Sequence, residues 1–180
     1  MLEKGILDHA RSTKICKGLM AVLSGALMQE IADYSLQFPL LLLRHYQFTG
    51  DREGYEEKIA DHLMNKGMVC GVYMSYFLMR GLCRLGKYEY VYGLITSTGE
   101  NSWYNMVRDG ATACIEAWGK DKKDNTSFCH PWASAPITVL IEDLLSVSYD
   151  GTVGEHHIPE SAGHIKMTIP TSKGTVNVDI

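Results

Sequence analysis

Residues 68–85 read MVCGVYMSYFLMRGLCRL, with Gly86 after them. The run is too long for a strand, which usually takes about 4–8 residues, so its apolar character reads as a helix from Met68 to Leu85 with Gly86 as the natural C-cap. It is apolar on nearly every face, and a helix of that kind is buried and has others packed outside it. Upstream, Ile31–Phe48 (IADYSLQFPLLLLRHYQF) has the same character, with Pro39 near its first turns or kinking it. Before it, Leu2–Leu23 carries Ile6, Leu7, Ala10, Ile15, Leu19 and Leu23 at roughly helical spacing. Thr49-Gly50-Asp51 ends the second helix, and Asp51 can N-cap a polar helix Arg52–Leu63. Downstream the pattern predicts helices over Lys87–Thr96 and Ile137–Val147. Between them lie a polar loop, Ser97–Asn101, and one or two helical turns over Trp103–Asp109. Inner helices covered by outer ones fit a toroid of paired helices, although about seven helices are too few to close such a ring.

After residue 147 the character changes. Ser148–Gly163 is rich in Gly and acidic residues and reads as a linker. Ile165–Ile169 and Val176–Ile180, separated by Pro170-Thr-Ser-Lys-Gly174, carry a hairpin signature. Two strands alone are marginal in water, so they pack on the helices or belong to a larger sheet. The expected organisation is a helical domain over 1–147, then a linker and a short C-terminal β element over 148–180.

Composition narrows the function. The chain has 180 residues, 46% hydrophobic and 21% charged, with net charge −4. Lys120, Lys122 and Lys123 form the one basic cluster, offset by Asp121 and Asp124, so no nucleic-acid partner is expected. The longest apolar run, Phe38–Leu43, falls far short of the roughly 20 residues of a membrane span. The start, MLEKGILDHARSTKIC, lacks a signal-peptide pattern. The five cysteines are odd in number and contain no CxxC pair. Reduced, buried thiols in a cytoplasmic protein are the expectation, without a zinc site. His156 and His157, beside Glu155, have no helical partner and read as a solvated loop rather than a metal site. There is no Gly-rich phosphate loop and no GxSxG, and neither a metal nor a cofactor is expected.

The chemistry gathers in Ser102–Pro136, SWYNMVRDGATACIEAWGKDKKDNTSFCHPWASAP, which holds all three tryptophans, Trp103, Trp118 and Trp132. Aromatic planes beside a carboxylate, Glu116, and an imidazole, His130, are what a sugar-binding catalytic cleft needs.

The run from Lys66 to Pro136 resembles the C-terminal part of glycoside hydrolase family 78, the bacterial α-L-rhamnosidases. The family pattern is a Trp-x-x-Met helix, a Gly-Ala/Ser-Thr turn, a Glu-x-Trp, and a loop to a His before a small-residue-Pro helix. Trp103, Met106, Gly110, Ala111, Thr112, Glu116, Trp118, Ser127, His130 and Pro136 follow it in order. The tail PTSKGTVNVDI resembles the start of the family's C-terminal β-sandwich. Residues 18–53, with Asp33, Ser35, Tyr46, Thr49, Gly50 and Asp51, resemble the helices just after the family's acidic motif. That motif, which holds the general acid, would precede residue 1, and the middle helix pairs of the toroid would fall between about Glu53 and Ile59. The resemblance therefore implies a truncated, internally deleted relative: mainly α, a partial (α/α)6 toroid with a short C-terminal β element.

The resemblance implies hydrolysis of terminal α-L-rhamnosyl residues from glycosides with inversion, Glu116 standing at the general-base position. The sequence neighbours of Glu116 (Ala113, Cys114, Ile115, Ala117, Trp118) would partly desolvate it and raise its pKa, as suits a base near neutral pH. The plain alternative is a partly buried Glu bonded to backbone. His130 would bond sugar hydroxyls or orient Glu116, or be a satisfied loop histidine. Trp118 and Trp103 would stack on the rhamnose, with core packing the alternative for Trp103; Trp132 reads as core. Asp33 lies near the toroid's inner rim by analogy, or simply N-caps Tyr34–Phe48. Without the acid motif the chain alone is expected to be weakly active or inactive. Two alternatives stand beside this: a non-catalytic helical remnant that self-associates as a homo-oligomer, and another carbohydrate-active enzyme of the toroid class.

Overall fold

Helix α2, Val72–Arg84, is the element on which Tyr88–Ile95 and the segment Pro131–Leu144 pack in a computed structural model that describes residues 55–180 together with Gln47 and Gly50. Its buried side chains, Val72, Ser75, Leu78, Met79, Leu82 and Cys83, recur at the three- and four-residue intervals of one helix face. The buried Ser75 hydroxyl is satisfied by donating to the Val72 carbonyl at 2.5 Å. The opposite face is not covered as the composition predicts: Tyr73 is 47% and Phe77 46% exposed. Apolar counting treats aromatic and aliphatic residues alike, and here the aliphatic ones take the core. The C-terminus closes as foreseen. Gly86 takes φ 71°, its N–H donates to Cys83 and that of Lys87 to Leu82, the paired bonds of a Schellman turn.

Helix α1, Tyr55–Lys66, precedes α2 and buries Ala60 and Leu63. Helix α3, Tyr88–Ile95, follows it, burying Val91 and Leu94, and Tyr90 Oη donates to the Met64 carbonyl at 2.8 Å, tying α3 to α1. The short helix α4, Trp103–Arg108, is N-capped by Ser102, whose Oγ accepts from the Asn105 N–H at 3.1 Å. The last helical stretch starts and ends earlier than expected. It opens as a 3-10 turn, Pro131–Ser134, continues as α5, Ala135–Val139, and widens into a π turn, Leu140–Leu144. Pro131 starts it because a first helical position needs no N–H. It ends where Ser146 adopts φ 52°. Arg80 on α2 binds Glu142 at 2.5 Å and Asp143 at 3.2 Å on the π turn. Burial beside these charges pushes the Cys83 thiol up to about 12, so it stays protonated.

Strands β1, Lys166–Thr171, and β2, Gly174–Asp179, form the expected antiparallel hairpin, with Ile169 opposite Val176 and Met167 opposite Val178. Ile169 and Val178 pack with Leu145 and Val147, so the pair leans on the end of the helical stretch. The segment read as a linker is tied down along its length. Val147 bridges Val153, His156 Nδ1 lies 2.6 Å from the Leu145 carbonyl, and the His157 ring stacks on Tyr88 at 3.9 Å. Glu56–Ile180 is one compact unit. The expected helices Leu2–Leu23 and Ile31–Phe48, the Asp51 cap and Asp33 lie outside the described residues; of the two positions described there, Gln47 is helical and Gly50 has φ 69°.

Candidate functional site

The site is carried by the irregular loop between α4 and the 3-10 turn. Helix α4 ends in a second Schellman turn, Gly110 at φ 81° with Ala111 N–H donating to Met106, which is the physical content of the Gly-Ala-Thr signature. The buried Asn105 then reaches forward, its Nδ2 donating to the Trp118 carbonyl at 2.6 Å. Gly119 passes close to that amide: a Cβ there would lie 3.0 Å from Nδ2, so a side chain at 119 would crowd the Asn105 bond. Two backbone bonds pair the loop's limbs: Glu116 N–H to Ser127 O at 2.9 Å, and His130 N–H to Cys114 O at 2.8 Å. They bring Glu116 and His130 together.

Within the loop, Ile115 and Trp118 turn inward and Glu116 turns out. The Trp118 ring is 5% exposed, lies in a core cluster with Val72, Met106, Ile115 and Ala133, and donates its indole N–H to the Cys70 carbonyl at 2.7 Å. Trp103 meets it edge-on at 4.9 Å and donates to the Ala133 carbonyl at 2.7 Å. Both rings are therefore packing elements with their polar edges spent, and Trp118 does not offer a face for sugar stacking. Trp132, read as core, is the exposed tryptophan at 40%. Its ring lies 4.0 Å from His130 and 5.1 Å from Tyr73.

The Glu116 side chain is 15% exposed and fully engaged. One oxygen accepts from Lys123 Nζ at 2.5 Å, and the other from the Ser127 N–H at 3.1 Å. These bonds, Lys123 first and the Ser127 N–H second, hold its pKa below the ordinary carboxylate range; they outweigh the desolvation that opposes them, with smaller contributions from the Lys123 charge and from His130. The expectation of a raised pKa is thus corrected: sequence neighbours predict desolvation, while the loop turns the carboxylate toward a cation instead. Glu116 is ionised at neutral pH and keeps lone pairs for a water or a sugar hydroxyl.

Sequence reasoning missed Lys123 as the partner of Glu116, Tyr73 as the ring neighbour of Trp132, and Phe77 as the ring beside Tyr73. The i, i+4 spacing of the two α2 rings was the available signal. Among the described residues, no three His, Cys, Asp or Glu side chains gather to share a metal ion, and no helix is long and apolar enough to cross a membrane. A family model described as the bacterial alpha-L-rhamnosidase 6 hairpin glycosidase domain matches residues 32–144, more than half of the chain. No curated protein and no solved structure matches it.

Proposed function

The chain belongs to the bacterial α-L-rhamnosidase six-hairpin glycosidase family, and from that membership we propose that it recognises terminal α-L-rhamnosyl groups with Glu116 as general base of an inverting hydrolysis. The observation that carries this is the Glu116 carboxylate, ionised, anchored through one oxygen on the Ser127 N–H and the other on Lys123, with His130 alongside. In single displacement such a carboxylate takes a proton from the attacking water, while a carboxylic acid roughly 6.5–9.5 Å away protonates the leaving oxygen. His130 serves as a partner for sugar hydroxyls. The residues assigned to this site include no general acid, and a site made of them alone binds rhamnosides and turns them over slowly or not at all. No cofactor enters the scheme. A cytoplasmic location goes with it and with the unpaired thiols of Cys83, Cys114 and Cys129.

The test is hydrolysis of p-nitrophenyl α-L-rhamnoside by the chain and by Glu116→Gln, beside a rhamnose titration. Binding with turnover near background, the residue of it lost in Glu116→Gln, is expected. Turnover that survives Glu116→Gln removes Glu116 as base, and failure to bind rhamnose removes the site. A second reading, a non-catalytic protein that self-associates, draws on the exposed Tyr73, Phe77 and Ile137. A sugar-blind dimer in size-exclusion chromatography would favour it.

A further inference from the structure

Glu116 is held from the two ends of one tight turn. The Lys123 carbonyl accepts from the Thr126 N–H at 3.2 Å and from Thr126 Oγ1 at 2.6 Å. The turn closed in this way delivers the Lys123 ammonium to one carboxylate oxygen at 2.5 Å and the Ser127 N–H to the other at 3.1 Å. The two holds differ in kind. Ser127 spends its single backbone donor on the carboxylate. An ammonium carries three donors, and among the described residues that of Lys123 has no partner besides Glu116. Its side chain is 43% exposed, so donors remain for a ligand that reaches this carboxylate.

The stereochemistry of inversion says which ligand atom that is. Water attacks the anomeric carbon on the face opposite the leaving oxygen, from about 3–3.5 Å, with the base beside it. In the chair of an α-L-rhamnoside the leaving oxygen and the 2-hydroxyl are both axial and point to opposite faces. The 2-hydroxyl therefore stands on the face that the water attacks, next to Glu116. A cation bonded to that same carboxylate has this hydroxyl as its nearest sugar acceptor. In the 2-epimer the hydroxyl is equatorial and turns away from the line of attack.

We propose that Lys123 is a specificity-determining residue, which donates to the axial 2-hydroxyl of the rhamnosyl ring and selects that ring over its 2-epimer. The proposal rests on Glu116 being the base of a rhamnosyl site, and it adds how that site reads its sugar. A charged donor suits the task, because its hydrogen bond is stronger than a neutral one and an analogue that lacks the acceptor leaves the donor unpaired.

Calorimetric titrations at neutral pH test it, with methyl α-L-rhamnoside and its 2-deoxy and 4-deoxy counterparts as ligands. In the unaltered chain the loss of the 2-hydroxyl should weaken binding about tenfold, the order expected of a hydrogen bond to a charged group. Lys123→Met should weaken the parent sugar by about the same factor and then bind the 2-deoxy sugar within about twofold of the parent, because both changes remove one contact. The 4-deoxy sugar should lose the same factor in both proteins. Lys120→Met, which removes a neighbouring cation of the same loop, should bind the parent within about twofold of the unaltered chain, and circular dichroism separates lost contact from lost fold. A 2-hydroxyl that counts as much in Lys123→Met as in the unaltered chain overturns the assignment and leaves the rhamnosyl site standing. So does a Lys120→Met chain that loses as much as Lys123→Met. A chain that binds none of the three sugars overturns the rhamnosyl site as well.

Discussion

Glu116 shows how one contact sets the character of a carboxylate. With Lys123 on one oxygen and a backbone N–H on the other, its charged form is favoured, at the expense of basicity. The folded-state pKa is lowered, so the stability this group contributes is present above its unfolded value of 4.5 and is lost as pH falls through the lower folded value. Lys123→Ala should raise the Glu116 pKa toward 4.5, and carbon-detected NMR titration of the side-chain carboxyl measures it directly. The acidic limb of rhamnoside binding should move upward with it; a pKa that stays put would mean that the Ser127 N–H alone holds the carboxylate. Little of this pairing was legible beforehand. Lys123 stands in a Lys/Asp cluster that reads as self-compensating, and only the bonds between the loop's limbs bring Lys123 back onto Glu116.

At the scale of elements, regular structure was legible and the loop's interior was not. Helix α2, its glycine stop, α3 and the hairpin follow from periodicity and turn residues, signals that act over a few neighbouring positions. The three tryptophans sit in or beside a stretch with no period, where inside and outside depend on single backbone angles. Trp118 turns inward because Asn105 holds its carbonyl and Cys70 accepts its indole. Trp132 turns outward because the 3-10 turn starting at Pro131 buries Ala133 instead. A matched pair of variants checks this assignment. Trp118→Phe removes the indole bond to the Cys70 carbonyl and leaves a smaller ring in the buried cluster with Val72, Met106, Ile115 and Ala133, and should cost about 1–3 kcal/mol. Trp132→Phe, at a surface position, should change stability by less than about 0.5 kcal/mol. Urea midpoints give both numbers, and comparable losses at the two positions would contradict the burial difference.

At the scale of the whole unit, the question is whether the hairpin folds with the helices or beside them. Composition predicts a boundary near residue 147 because Gly, Pro and acidic residues cluster after it. Those residues serve tight turns rather than a tether, as Gly151 at φ 83° and the bond from Gly154 N–H to Ser146 O at 2.8 Å illustrate. Ile169 and Val178, each 4% exposed, close over Leu145 and Val147, which are 0% and 1% exposed. An isolated two-stranded ribbon has no core of its own, so its stability is that of the surface it covers. Ile169→Ala should therefore cost about 2–5 kcal/mol, and the loss should reach the far side of the unit. The tryptophan transition, dominated by the Trp103–Trp118 pair, and the far-ultraviolet transition should move to lower denaturant together, because one cooperative unit has one midpoint. If the hairpin were a separate domain, the tryptophan transition would stay where it is in the unaltered protein while the β signal alone melted early. Coincident shifts would place the floor beneath Glu116 and the C-terminal strands in one folding unit, so that substitutions in the hairpin also lower rhamnoside binding at temperatures near the midpoint.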